Sequence, residues 1–143
     1  MGDLSKNFSR SEFACRCCGK AEVNPRLVEA LQELRDLAGA PVRITSGYRC
    51  PEHNQAVGGA KRSQHLLGNA ADIVIKNLSV ASMYELAAQV PAFRNGGIGV
   101  YPEQGFIHVD VREGCTRWGH LAGKYLTLAK ALKQTEGDEH ATA

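Results

Sequence analysis

Residues 106–112, Phe-Ile-His-Val-Asp-Val-Arg, constrain the fold more than any other stretch of this chain. Ile107, Val109 and Val111 alternate with Phe106, His108, Asp110 and Arg112. Successive side chains of an extended strand point to opposite faces. The segment therefore reads as a strand with one apolar face for a core. Its other face carries an imidazole, a carboxylate and a guanidinium in a row. A solvated strand face with one charge pair would satisfy this pattern too, so the neighbouring elements decide whether the polar face is a site.

Upstream, "GGIGVYPEQG" supplies a partner strand at about 97–101 and a turn containing Pro102 and Gly105, so residues 96–113 read as a hairpin. A helix starts at Asn24, a good N-cap followed by Pro25 at the first helical position. Leu27, Val28, Leu31, Leu34 and Ala38 share its apolar face, and Gly39 ends it. "PVRITS" is a strand with Val42 and Ile44 inward. A short helix from Pro51 to about Val57 stops at Gly58-Gly59. "AADIVIK" is a second strand, with Ala71, Ile73 and Ile75 on one face and Asp72 on the other. A helix capped by Ser79 carries Val80, Met83, Leu86 and Ala87 as its stripe, and "YLTLAKALKQ" reads as the closing helix. Ser9 and Glu12 have capping-box spacing. The order predicts an α+β domain with a small, largely antiparallel sheet.

The 143 residues suffice for one domain with a real core, expected over residues 1–135, with a frayed polar tail at 136–143. A net charge of +2, from basic residues scattered without runs, argues against nucleic acid as a partner. No apolar stretch approaches the roughly 18 residues of a membrane span. The N-terminus shows no apolar signal core, so the chain is expected to be cytoplasmic as synthesised. A monomer is expected. Five cysteines, at 15, 17, 18, 50 and 115, argue against a disulfide framework. One disulfide, free buried thiols, or a soft-metal clip of "CRCC" with Cys50 all remain open.

The stretch "SQHLLGNAAD", residues 63–72, bears on the polar face. Asp72 projects from the second strand, and His65 sits in the loop feeding it. Gly68 and the alanines keep that passage slim, so the backbone can turn tightly. If the two strands share a sheet, His65, Asp72 and His108 can meet. Two imidazoles and a carboxylate suit a three-ligand catalytic zinc site with an open fourth position. Cobalt or manganese would fit similar ligands.

"SGYRCPEHNQAVGGAKRSQHLLGNAAD" followed by "GIGVYPEQGFIHVDVR" resembles the M15 group of zinc peptidases, D-alanyl-D-alanine carboxypeptidases and phage peptidoglycan endopeptidases whose fold is shared with the hedgehog signalling domain. The resemblance runs from about Phe8 to Trp118. It rests on Ser63, His65, Gly68, Ala70 and Asp72, with His108 later. It implies His65, Asp72 and His108 as zinc ligands, and Arg49 as the cation gripping a substrate carboxylate or carbonyl. A planar fork of donors suits that task and stabilises a developing oxyanion. Ser46 and Ser63 become supporting hydrogen-bond partners, and Tyr48, Tyr101 and Trp118 candidate cleft residues.

The chain departs from the family at one position. Many members carry Glu or Asp three residues before the last zinc histidine, where this sequence has Gly105. Asp110 is the expected general base, or else a support that orients a ligand imidazole or pairs with Arg49 or Arg112. Glu103 is next, and His53 and His120 are more distant candidates. The resulting expectation is zinc-dependent hydrolysis of a peptide bond in peptidoglycan. It would be D-Ala-D-Ala carboxypeptidase or L-Ala-D-Glu or cross-link endopeptidase activity, in a phage or prophage lysis enzyme acting on the cell wall after release. The alternatives are a non-catalytic metal-bound peptidoglycan-binding or phage structural module, and a cysteine-based site using Cys50 beside His53.

Overall fold

The computed structural model describes residues 2–58 and 63–132. The expected tail and Gly59 lie outside the described residues. Six strands form one sheet: β1 (Val42–Ser46), β2 (Ala70–Ile75), β3 (Gly97–Tyr101), β4 (Phe106–Asp110), β5 (Thr116–Leu121) and β6 (Lys124–Leu126). Their spatial order is β1-β2-β4-β3-β5-β6. All described pairings are antiparallel except β3 with β5, which is parallel. The helices are α1 (Pro25–Ala38), α2 (Pro51–Ala56), α3 (Val80–Ala87) and α4 (Pro91–Arg94). The α+β architecture is as the sequence predicts.

Local chemistry explains the elements. Asn24 Oδ1 accepts from the Arg26 N–H at 2.9 Å, Pro25 opens α1, and Gly39 closes it in the left-handed conformation at φ 63°. Ser79 caps α3 by accepting from the Ser82 N–H. Ser9 and Glu12 form the capping box over a 3-10 turn at Arg10–Phe13. Leu27, Leu31 and Leu34 of α1, Met83 and Ala87 of α3, and Phe93 of α4 pack with Ile73, Ile98, Val100, Ile107 and Val109 of the sheet into one core. Burying a side chain of this size is worth about 1.5–3 kcal/mol. That burial commits the apolar face of every central strand and leaves the opposite face to the site.

Three elements differ from the sequence expectation. Residues 116–121 form a strand because β3 offers them a parallel edge, although Arg117 and Gly119 break the apolar alternation. Gly119 is tolerated because Ala131 occupies the space a side chain would take. The closing helix starts later than predicted: Lys124–Leu126 pair with β5, and residues 128–132 are helical. The single turn α4 opens on Pro91 and seats Val90 and Phe93 in the core.

Strand register assembles the polar face. Ser46 pairs with Asp72, Asp72 with His108, His108 with Gly99, and Gly99 with Trp118. These five residues form one row across β1, β2, β4, β3 and β5, on the face away from the core.

Candidate active site

His65 reaches this row from a 3-10 turn at Gln64–Leu67. The Ser63 hydroxyl caps that turn by accepting from the His65 N–H at 3.2 Å. Gly68 ends it at φ 72°, where a side chain would also strike the Glu22 backbone. The chain then enters β2 and brings Asp72 back beside His65.

The three expected ligands converge. His65 Nε2 and His108 Nδ1 each lie 3.3 Å from Asp72 Oδ1. One donor atom from each of the three residues falls within a 4.8 Å cluster, and all three residues are buried. Tetrahedral zinc with nitrogen and oxygen ligands at 2.0–2.1 Å separates its donors by roughly 3.3 Å, so the set fits such an ion. The second nitrogens fit as well. His65 Nδ1–H donates to the Gly47 carbonyl at 2.7 Å, which leaves Nε2 bare toward Asp72. His108 Nε2–H donates to Asp110 Oδ2 at 2.6 Å, which turns Nδ1 inward. Outer partners of this kind fix the ring and tautomer of a metal ligand.

The charges are arranged to match. Burial would raise the Asp72 carboxyl, but the His65 and His108 imidazoles hold it well below the usual carboxylate range. Burial disfavours charge on His108, yet Asp110 and Asp72 beside its ring raise it above the ordinary histidine value. A proton and a metal ion therefore compete for the same bare nitrogen.

Arg49 spends part of its guanidinium on this cluster. Its Nη2 donates to Asp72 Oδ2 at 3.2 Å, its Nε to Ser46 Oγ at 3.2 Å and its Nη1 to Asn54 Oδ1 at 3.3 Å. Asp72 thus turns one oxygen to the imidazoles and gives the other to Arg49. Three of the five guanidinium N–H donors have these partners, and Arg49 still borders the cleft.

The cleft above the row has a volume of about 490 Å³ and is bordered by Ser63, His65, Asp72, Tyr101, Phe106, His108, Trp118, His120 and Tyr125, among others. Gly99 carries no side chain, so Trp118 lies across it and its ring comes within 4.9 Å of His108. The Trp118 Nε1–H donates to the Tyr101 hydroxyl at 3.1 Å. One row further out, Phe106, Tyr101, His120 and Tyr125 make a continuous line of rings, with centroids 4.5, 5.2 and 5.0 Å apart. Burial pushes the Tyr101 hydroxyl up to about 12, so it keeps its proton at neutral pH.

Several expected residues stand elsewhere. Tyr48 is not part of the described cleft wall; its N–H is bonded to the Phe13 carbonyl. Asp110 is not part of it either. Its carboxylate is fully enclosed, held by the Gly97 N–H, the Arg112 N–H, the Arg112 side chain and His108. Burial would raise Asp110, but the hydrogen bonds from His108 and Arg112 keep it well below the usual carboxylate range. A group so saturated has the geometry of a support, the second of the two roles expected for it. Glu103 is exposed outside the cleft wall, and its carboxylate accepts from the Ala122 N–H. His53 is also absent from the described wall. His120 borders the cleft, and its Nδ1 is buried without a hydrogen-bond partner among the described residues. The sequence pattern leaves His120 distant because residues 116–126 do not read as strands. Phe106 and Tyr125 are cleft residues that the pattern misses, Tyr125 for the same reason.

A family model described as Peptidase M15 matches residues 6–110. Among curated proteins, the chain is similar to the peptidoglycan L,D-endopeptidase MepK of Escherichia coli (strain K12), with 34% identity over 95 residues. That match covers 62% of this chain and 50% of the relative. It is also similar to the probable peptidoglycan L,D-endopeptidase MepK of Haemophilus influenzae, 31% identical over 97 residues with the same coverage. The chain spans about half the length of the curated relatives it matches.

Proposed function

The chain belongs to the peptidase M15 family, and from that premise we propose that it hydrolyses a peptide bond in the stem peptides of bacterial peptidoglycan, using one zinc ion held by His65, Asp72 and His108. The observation that carries this reading is the convergence of those three buried donors, each with its outer partner, at the floor of an open cleft. Zinc, when bound, polarises the scissile carbonyl and lowers the pKa of a water molecule to about 7. The relatives' names favour cleavage between an L- and a D-residue over removal of a terminal D-alanine.

The protein's own groups have separate tasks. Arg49 holds Asp72 in place and directs its remaining N–H donors at a substrate carboxylate or carbonyl. Tyr101, kept protonated by burial, offers its O–H to the oxygen that gains charge. The ring row from Phe106 to Tyr125 seats the peptide and displaces water from the reacting bond. His120 accepts the proton of the attacking water and returns it to the leaving amine. Asp110 keeps His108 in the tautomer that faces the metal position.

Zinc-loaded protein incubated with defined muropeptides tests the reading by mass spectrometry of the products. A new amino terminus after an L-residue is the expected result. Release of D-alanine alone would reassign the specificity to carboxypeptidase. No product from any peptidoglycan type would remove the enzymatic reading and leave a non-catalytic module.

The division of labour at Asp110 is testable separately. Asp110→Asn is expected to weaken metal binding about 10–100-fold, with activity returning as zinc is raised. Activity that stays lost at saturating zinc, with metal bound, would restore Asp110 as the proton acceptor.

A further inference from the structure

A second group of metal-capable side chains lies outside the cleft. The sulfurs of Cys15, Cys18 and Cys50 all fall within 4.8 Å of one another, and no disulfide joins them. We propose that these three thiols, with the adjacent Cys17, form a separate thiolate site for a soft divalent cation such as zinc. It shares no ligand with His65, Asp72 and His108, so it stands or falls independently of the proposed hydrolysis.

The backbone is arranged for this. Cys15 and Cys18 have the two-residue spacing common in thiolate zinc sites. The loop between them closes tightly: the Gly19 N–H donates to the Cys15 carbonyl at 2.8 Å, and the Cys15 N–H to the Lys20 carbonyl at 2.7 Å. Gly19 takes φ 75° there, in the left-handed region. Cys50 arrives from the other side as the N-cap of α2, and its N–H points at Cys15 Sγ at 3.4 Å. The His53 N–H likewise points at Cys50 Sγ. N–H groups aimed at sulfur stabilise thiolate over thiol. Burial would raise Cys15, but the N–H groups of Cys50, Cys18 and Cys17 bring it down to about 7. Tetrahedral zinc with sulfur at about 2.3 Å needs sulfurs roughly 3.8 Å apart, a spacing inside the 4.8 Å limit of this cluster. Cys17 lies outside the three-sulfur cluster but interacts with the Cys50 side chain, and on this proposal it turns in as the fourth ligand.

The location gives the site a purpose. The Cys15–Cys18 loop follows Phe13, whose carbonyl accepts from the Tyr48 N–H. Cys50 directly follows Arg49, which holds Asp72, and the nearby Gly47 carbonyl holds His65. A metal here would pin the N-terminal segment to the connection between β1 and α2, on which two of the cleft's orienting contacts depend.

Cobalt(II) titration of the reduced full-length chain tests this. Two equivalents are expected to bind, one of them producing thiolate-to-cobalt charge-transfer absorption. His65→Ala should keep that absorption and bind one equivalent. A Cys18→Ser, Cys50→Ser double variant should lose the absorption and still bind one. If that variant does not fold, alkylation of the wild type with and without cadmium gives the answer. Cys15, Cys17, Cys18 and Cys50 should be protected by cadmium while exposed Cys115 reacts in both samples. Absence of the charge-transfer band in the reduced wild type overturns the proposal. So does equal alkylation of all five cysteines, or an intramolecular disulfide in the purified protein together with no metal uptake after reduction.

Discussion

His65→Ala is expected to lower hydrolysis by ~10³-fold or more and to leave the chain with one fewer zinc ion. His65 supplies one of three converging donors, and its ring is held by the Gly47 carbonyl. Without it two donors remain, too few to hold an ion against exchange with solvent. Several kcal/mol of transition-state stabilisation depend on that ion, and each ~1.4 kcal/mol is tenfold in rate. Zinc-to-protein ratio and turnover of a defined muropeptide, measured on the same sample, give the result. Wild-type turnover in a folded His65→Ala variant would remove the ion from the mechanism.

The second large effect is expected at His120. His120→Ala should reduce kcat by ~10²–10⁴-fold, the range of general acid–base catalysis, with zinc content unchanged. The grounds are its place on the cleft wall and its buried Nδ1, which has no hydrogen-bond partner among the described residues. Glu103→Ala should have little effect, because that carboxylate is exposed and engaged with the Ala122 N–H. If Glu103→Ala loses activity and His120→Ala keeps it, the turn carboxylate handles the proton. A loss in His120→Ala confined to KM would instead mark His120 as part of the aromatic floor.

Much of the fold was legible because short-range rules govern it. Asn24-Pro25, Gly39, Ser79 and the alternation in β2 and β4 each specify their own element within a few residues. Residues 116–126 were not legible. Gly119 and Arg117 interrupt the apolar period, and what makes a strand there is a parallel edge contributed by residues 97–100. Tyr125 was lost from the cleft for that reason, as its position depends on pairing with His120.

By itself, the sequence determined that His65, Asp72 and His108 could meet. Strand alternation puts Asp72 and His108 on the polar faces of their strands, and the slim turn at Gly68 returns the chain to His65. The tertiary structure alone decided what the other polar groups are available to do. On the strand pattern, Asp110 and His108 share a face and are equally open. In the fold, Gly97 and Arg112 close around Asp110, while β5 carries His120 to the cleft wall. Access and hydrogen-bond saturation are set by neighbours distant in sequence, and no local periodicity encodes them.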